Sequence, residues 1–359
     1  MKNMKNMKNM KYLWMGAFLS IFILMVFIKS VDSYAQSNTA YWNEGCKPQT
    51  RSGWMDWLPN GARVSQLSIP GTHDSMAWKP NLVGLDCTRT QTMSLEDQLN
   101  SGIRVIDIRV KYEGKQFSCY HGPIYLGCDL DDVLETITLF LKNNPTEAVF
   151  MRFSQEYSSA DDDSMKQLFD KYYNRYRDLF YSGKSNDPKV GDIRGKLVLI
   201  SNVLSLNQYG LNYRYFNKQD DYHLSTNWDL YSKWQKIKDQ LLVANSRSQQ
   251  NNIYINYLSG SGGSFPYFVA SGHSSPQTWA GNLATGLTEP GFHHYYPDFP
   301  RGNWFGVFAT IYFEGTNELT ANFIEKNKPS YVGIIMSDFP GAKLINDIIE
   351  CNRNIKLIG

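Results

Sequence analysis

The chain has 359 residues, 42% hydrophobic and 14% aromatic, enough apolar material for one large core or two ordinary ones and too much for a disordered chain. Lysine and arginine total 36 against 34 acidic residues, a formal charge of +2, which gives no reason to expect a nucleic-acid partner.

The N-terminus "MKNMKNMKNMK" supplies four lysines ahead of an apolar run from Leu13 to Ile28 and the small-residue stretch "SYAQ". Basic region, apolar region and small-residue site in that order predict a signal peptide over 1–35, cut after Ala35, with a mature chain of 36–359 that is secreted or extracytoplasmic. The apolar run is shorter than the roughly 18–20 residues of a spanning helix, so an uncleaved anchor is the weaker alternative. The "MKN" repeat reads as low-complexity sequence without fold content. All five cysteines (46, 87, 119, 128 and 351) follow the cleavage site, and export permits disulfides. Cys119 and Cys128 flank "YHGPIYLG" and could close that loop. The odd total leaves one thiol over, the spacings do not match a zinc site, and Cys46 lacks the apolar residues that precede a lipidated cysteine.

Further along, short β-rich runs alternate with amphipathic stretches, the pattern of parallel strands joined by helices. Candidate strands are "RVSQLSI", "RVIDIRV", "FSCYH", "EAVFMRF", "KLVLIS", "IYINYLS" and "YVGIIMS"; helical stretches include "SLEDQLNSG", "DLDDVLETITLFLKNN" and "DSMKQLFDKYYNRYRDLF". In the second of these, Val133, Leu134, Ile137 and Leu141 share one face, and "NNP" ends the helix. Alternation over some 300 residues without a clean linker predicts a single α/β domain, a closed (β/α)8 barrel. An open doubly wound sheet is less favoured, because the chain has neither a Gly-x-Gly-x-x-Gly turn nor a phosphate loop ending in Gly-Lys-Ser/Thr. The segment 272–315, rich in Gly, Pro, His and aromatics, reads as a loop insertion with one strand in "VFATIYFE". Its pair His293 and His294 lacks a third ligand at a convincing spacing, so no metal is expected there.

Barrel enzymes carry their functional residues at the C-terminal ends of the strands. His73 and Asp74 follow "LSI", Asp107 and Arg109 close "RVIDIRV", His121 ends "FSCYH" and Asp338 follows "YVGIIMS". Singly, each has a structural reading, a turn histidine or a helix-capping aspartate. Alternation places Val105, Asp107 and Arg109 on one face of their strand. Two inward charges need each other or a charged ligand, since burying either unpaired is costly. Two histidines, an arginine and supporting carboxylates suit phosphodiester cleavage: one imidazole takes a proton, the other returns one, and the guanidinium binds the phosphate. A calcium site would want clustered oxygen ligands. Arg109 in its midst would repel the ion, which favours chemistry with no metal and no cofactor.

The stretches "SIPGTHDS", "GIRVIDIRV", "YHGPIYLGCDLDDVL", "NNPTEAVFMRFSQEY", "GDIRGKLVLIS" and "VGIIMSDF" resemble, in order from about Trp54 to Lys356, the bacterial phosphatidylinositol-specific phospholipase C family. The resemblance implies a distorted TIM barrel that cleaves the phosphodiester between diacylglycerol and inositol by attack of the inositol 2-hydroxyl, giving a cyclic inositol phosphate. It implies His73 as general base supported by Asp338, His121 as general acid working with Asp74, and Arg109 as the phosphate-binding arginine beside Asp107. Within "NWDLYSKW" it implies Asp229 as a hydroxyl ligand and Tyr231 as the ring that stacks on the sugar. Two family cations are absent: Ser154 stands where the pattern has lysine and Asn202 where it has arginine. Losing them should alter head-group selectivity. Arg152 shares the strand face of Ser154 and is a candidate to reach the site.

The expected partner is a phospholipid at a membrane surface, with no protein partner. Trp78, Phe265, Tyr267 and Trp279 fall on loops expected at the barrel mouth, where amphipathic rings suit interfacial contact. Two other readings remain open on sequence: a metal-dependent phosphodiesterase for another head group, and a catalytically silent lipid-binding module.

Overall fold

The computed structural model describes residues 39–43, 46–79, 86–246, 252–274 and 281–355. The signal sequence and Trp279 lie outside the described residues. In chain order the strands are β1 (Ile69–Thr72), β2 (Val105–Tyr112), β3 (Phe117–His121), β4 (Ile124–Asp129), β5 (Val149–Gln155), β6 (Leu197–Ser201), β7 (Gly210–Asn212), β8 (Asn217–Gln219), β9 (His223–Leu224), β10 (Tyr254–Tyr257), β11 (Ser261–Gly262), β12 (Ala284–Glu289), β13 (Arg301–Trp304), β14 (Phe308–Tyr312) and β15 (Ile334–Ser337).

Eight of them form one curled sheet in the order β7-β6-β5-β2-β1-β15-β10-β8, every neighbouring pair parallel. This is the predicted barrel in distorted form, for no ladder joins β7 to β8 among the described residues. The distortion has a local cause. β7 and β8 are three residues each and are joined by the 3-10 turn Tyr213–Tyr215, where a regular unit would place a helix.

The crossover helices bury their apolar stripes on the barrel. Helix Leu130–Asn143 opens with a capping box in which the Asp129 side chain accepts the N–H groups of Asp131 and Asp132 while Asp132 accepts that of Asp129, worth about 1 kcal/mol. Its stripe of Leu130, Val133, Leu134, Ile137, Phe140 and Leu141 is buried, the face that helical spacing predicts. No helix among the described residues is long and apolar enough to cross a membrane.

Three elements depart from the sequence reading. "RVSQLSI" is largely a 3-10 turn at Val64–Gln66, and β1 begins only at Ile69. "FSCYH" is no barrel strand: it pairs antiparallel with β2 and β4 as a hairpin on the barrel's side. The insertion is a small domain-like sheet, with β12-β14-β13 antiparallel, rather than a loop with one strand. Cys119 and Cys128, which the sequence left able to close the hairpin loop, are free buried thiols; the hydrogen bond from Cys128 together with burial raises the Cys119 thiol.

Candidate active site

Because the barrel strands are parallel, their C-terminal ends meet at one face. There a cavity of about 490 Å³ is lined by residues from the ends of β1, β2, β5, β6, β8, β10 and β15, among them His73, Arg109, His121, Arg152, Asp220 and Asp338.

The turn carrying His73 and Asp74 is fixed from both sides. At Gly71 a Cβ would meet Met336 Sδ at 2.5 Å and Val105 Cβ at 3.0 Å, so β1 runs between β15 and β2 only because that position has no side chain. Ser75 Oγ accepts the Asp107 N–H at 2.8 Å, and the Asp74 N–H donates to Asp107 Oδ2 at 3.2 Å. Asp74 itself adopts a left-handed backbone, φ 40°, which aspartate tolerates better than most residues.

His73 faces Asp338 through Nδ1 at 2.8 Å and Arg109 Nη2 through Nε2 at 2.5 Å. Arginine can only donate, so Nε2 carries the lone pair and the Nδ1 proton goes to the buried Asp338. That is the tautomer a general base needs. His121 donates Nδ1–H to the Thr88 carbonyl at 2.7 Å, and Asp74 Oδ2 lies 3.3 Å from the same nitrogen. Burial raises the Asp74 carboxyl, opposed by Arg109 and then His121. Asp74 Oδ2 and Asp338 Oδ2 are buried and accept no hydrogen bond among the described residues.

The register of β2 on β5 sets Asp107 beside Arg152 and Arg109 beside Ser154. Asp107, fully buried, is shared by two guanidinium groups: Arg109 Nε donates to Oδ2 at 3.0 Å and Arg152 Nη1 to Oδ1 at 2.5 Å. Burial works to raise the Asp107 carboxyl, but Arg152 and then Arg109 hold it well below the usual carboxylate range. Burial likewise opposes the Arg109 charge, and Asp107 and Asp74 more than restore it. Arg152 also donates to Ser154 Oγ at 3.2 Å and stacks over the Tyr213 ring at 5.0 Å. Two guanidinium groups share this one carboxylate, and Arg109 faces the cavity beside His73, where its remaining donors can meet a phosphate oxygen.

The structure thus brings His73, Asp74, Asp107, Arg109, His121 and Asp338 together, and adds Arg152. Ser154 and Asn202 line the cavity as uncharged residues. It does not bring Asp229 and Tyr231 there. Asp229 Oδ2 accepts the N–H groups of Ser225 and Thr226 at the start of helix Leu230–Ser246, and Tyr231 donates to Asp298 and packs on Tyr296 and Phe299. The cavity is lined instead by Asp220 and Tyr222, an Asp-x-Tyr pair of the same spacing nine residues earlier. Of the expected interfacial rings, Phe265 is exposed, Trp78 is half-buried, and Tyr267 is buried with its hydroxyl on the Trp42 carbonyl. His293 and His294 lie exposed with rings 3.6 Å apart, and no group of three His, Cys, Asp or Glu residues among the described residues is disposed to hold a metal.

Fold and site together define a barrel enzyme equipped for general acid–base chemistry on an anionic substrate. The model of the family "Phosphatidylinositol-specific phospholipase C, X domain" matches residues 67–202. The 1-phosphatidylinositol phosphodiesterase of Listeria monocytogenes is 34% identical over 357 residues, spanning 93% of this chain and 97% of that one. The protein of the same name from Staphylococcus aureus strain Newman is 26% identical over 314 residues, 77% and 94% of the two chains. The solved structure of the Listeria phosphatidylinositol-specific phospholipase C superposes with a TM-score of 0.62 at 28% identity, covering 85% of this chain and all of that one. The chain belongs to the phosphatidylinositol-specific phospholipase C family.

Proposed function

We propose that this protein is a phospholipase C that cleaves phosphatidylinositol between the glycerol oxygen and phosphorus. The observation that carries this reading is the pair of histidines around Arg109 in one cavity, each with its Nδ1 proton committed to a fixed acceptor, Asp338 for His73 and the Thr88 carbonyl for His121. The phosphate enters against Arg109, displacing its contact to His73 Nε2. That nitrogen then takes the proton of the inositol 2-hydroxyl as its oxygen bonds to phosphorus. Charge growing on the phosphate oxygens is met by Arg109, whose cation is held in place by Asp107. His121 gives a proton to the glycerol oxygen as the phosphorus–oxygen bond breaks, its ring oriented through Nδ1 by the Thr88 carbonyl and buried Asp74. Diacylglycerol leaves, and a cyclic inositol phosphate remains. Water can open the ring by the reverse roles, His121 as base and His73 as acid.

Head-group recognition differs from the family pattern. With Ser154 and Asn202 in place of two cations, Arg152 is the remaining cavity cation besides Arg109 among the arginines and lysines lining it, and Asp220 and Tyr222 offer a hydroxyl acceptor and a ring. Export of the mature chain from Gln36 rests on the sequence pattern; N-terminal sequencing of protein from the culture medium should begin there, and an intact Met1 would overturn it.

The test is product identification by phosphorus NMR on a panel of phospholipids, in excess EDTA. Phosphatidylinositol should give the cyclic phosphate, and His73→Ala and His121→Ala should each lose about 10²–10⁴ in rate while keeping the thermal unfolding transition. Wild-type turnover in either variant, or activity that EDTA abolishes, would refute the assignment.

A further inference from the structure

We propose that Lys233, buried beneath the ends of β8 and β10, supplies positive charge that the head-group cavity lacks and so sets its affinity for an anionic phosphate. This deepens the phospholipase reading and rests on it for the identity of the anion.

The cavity is short of cations for an anionic substrate. Its wall carries the carboxylates of Glu156, Asp220 and Asp338 against the guanidinium groups of Arg109 and Arg152, and Asp107 already binds both guanidinium groups. Ser154 and Asn202 add a hydroxyl and an amide but no charge. A phosphodiester entering such a wall meets more negative than positive charge, which calls for a further cation close behind it.

Helix Leu230–Ser246 places one there. Its buried face is Leu230, Lys233, Trp234, Ile237, Leu241 and Ala244, the spacing of an amphipathic stripe, and the second position of that stripe is a lysine only 3% exposed. Lysine is almost never fully buried unless paired. Yet the Lys233 ammonium bonds only uncharged acceptors among the described residues, the Tyr257 carbonyl at 2.7 Å and Gln219 Oε1 at 3.4 Å. An unpaired buried charge opposes folding, and a local rule broken without internal compensation marks a place where function sets the residue.

The two acceptors tie that charge to the cavity. Gln219 ends β8 and Tyr257 ends β10, and the residues that follow them, Asp220 and Tyr222 on one side and Ser259 and Ser261 on the other, line the cavity. Gln219 joins the two ends: its Nε2 donates to the Tyr257 carbonyl at 2.9 Å and to Asn256 Oδ1 at 2.8 Å, and its Oε1 accepts the Asp221 N–H at 2.8 Å. Burial pushes the Lys233 ammonium down to about 8, against the pull of Asp220, then Asp221 and Asp338, with Lys236 adding to the fall. Lys233 also borders a second cavity of about 200 Å³, shared with Asp221, His223, Asp229 and Lys236. There Asp221 pairs with Lys236, and the Asp229 carboxylate accepts the N–H groups of Ser225 and Thr226. That leaves Lys233 as the cation free to offset Asp220.

The decisive variant is Lys233→Met. It keeps the stem and strands no buried acceptor, because the Tyr257 carbonyl keeps Gln219 Nε2 and Gln219 Oε1 keeps the Asp221 N–H. The thermal transition should hold or rise, since an unpaired buried charge is removed. Binding of inorganic sulfate, measured by titration calorimetry at neutral pH, should weaken about tenfold, the order expected of one elementary charge acting through a medium of intermediate dielectric. Wild-type affinity should fall by the same factor as pH rises through about 8, and the gap between wild type and variant should close there. On monodisperse phosphatidylinositol the variant's loss should fall on KM rather than on kcat. Adding Asp220→Asn should restore most of the sulfate affinity, because it removes the negative charge that Lys233 offsets. Unchanged sulfate affinity in Lys233→Met would overturn the proposal, and so would a loss that Asp220→Asn does not restore, since Lys233 would then be only a brace for the strand ends. A wild type that binds sulfate more tightly than the variant yet leaves phosphatidylinositol intact would uphold the role of Lys233 and overturn only the phospholipase reading.

Discussion

Replacing Arg152 with methionine separates a catalytic cation from a structural one. Asp107 is fully buried, and its two oxygens divide their partners: Oδ2 receives Arg109 Nε at 3.0 Å and the Asp74 N–H at 3.2 Å, whereas Oδ1 receives Arg152 Nη1 at 2.5 Å. Methionine keeps the stem's packing but leaves Oδ1 without a donor. Breaking a buried ion pair by removing one member costs about 3–5 kcal/mol, and a hydrogen bond to a charged group about 1.5–3 kcal/mol. Because Arg109 still neutralises Asp107, the loss of stability should fall near the lower range, about 2 kcal/mol. The loss in rate should be larger in proportion, since one of two guanidinium groups facing the phosphate is gone; removing one such donor costs about 10²–10³ in turnover. The Asp107 carboxyl, no longer held down first by Arg152, should also rise, so the acid limb of the activity profile moves to higher pH. The assay is kcat/KM on monodisperse phosphatidylinositol across pH, with thermal unfolding alongside. Adding Asp107→Asn to Arg152→Met should restore much of the stability, as no buried carboxylate is then stranded, but not the rate. Arg152→Met with wild-type kcat/KM would refute the reasoning, whatever its stability.

Asp220→Ala and Tyr222→Ala should raise KM for phosphatidylinositol about tenfold, the size of one or two lost polar contacts. Asp229→Ala should leave KM alone and lower stability by about 1 kcal/mol, the worth of the helix-start bonds it makes to Ser225 and Thr226; the reverse pattern would return the sugar site to Asp229. Glu314 is pushed up to about 7 by burial and then by Glu318, beside a strap in which the Ala40 N–H donates to Glu318 and Tyr41 bonds His273. A carboxyl whose folded pKa is raised binds more protons folded than unfolded, so its contribution is full below its unfolded pKa of about 4.5 and is lost as pH rises to about 7. Thermal stability should therefore decline by a contribution of about 3 kcal/mol over that window, and Glu314→Gln should flatten the decline. An unchanged slope in the variant would remove Glu314 as its source.

What the sequence made legible follows the length of the apolar run before each residue. β2 alternates strictly from Ile106 to Val110, so the shared face of Asp107 and Arg109 was readable, and its register on β5 then puts Arg152 against Asp107. β8 is only Asn217–Gln219, without one apolar residue to announce a strand. The strand end carrying Asp220 and Tyr222 was therefore invisible, and the same Asp-x-Tyr spacing at Asp229 and Tyr231 stood in for it. A signal against that choice was present: Thr226 and Asp229 form the Thr-x-x-Asp capping pattern that starts a helix. The insertion read as a loop because its glycines and prolines outnumber its alternating apolar positions, although the exposed Trp304 and Phe308 face each other across a ladder.

Arg104 and Arg109 stand five residues apart in "IRVIDIR", and composition gives no way to rank them. Their surroundings do. Arg104, at the entry to β2, is fully buried with its donors consumed by Glu147 and by the carbonyls of Leu99, Ile103 and Ser52. Arg109, at the strand's other end, bonds only Asp107 and His73 among the described residues and faces the cavity. The same side chain is a girder where protein acceptors saturate it and a ligand site where they do not. It follows that Arg104→Met should act on stability without moving the pH profile of activity, whereas Arg109→Met should abolish turnover with a smaller stability loss. Parallel losses in the two variants would mean that the charge on β2, rather than its placement along the strand, is what the barrel needs.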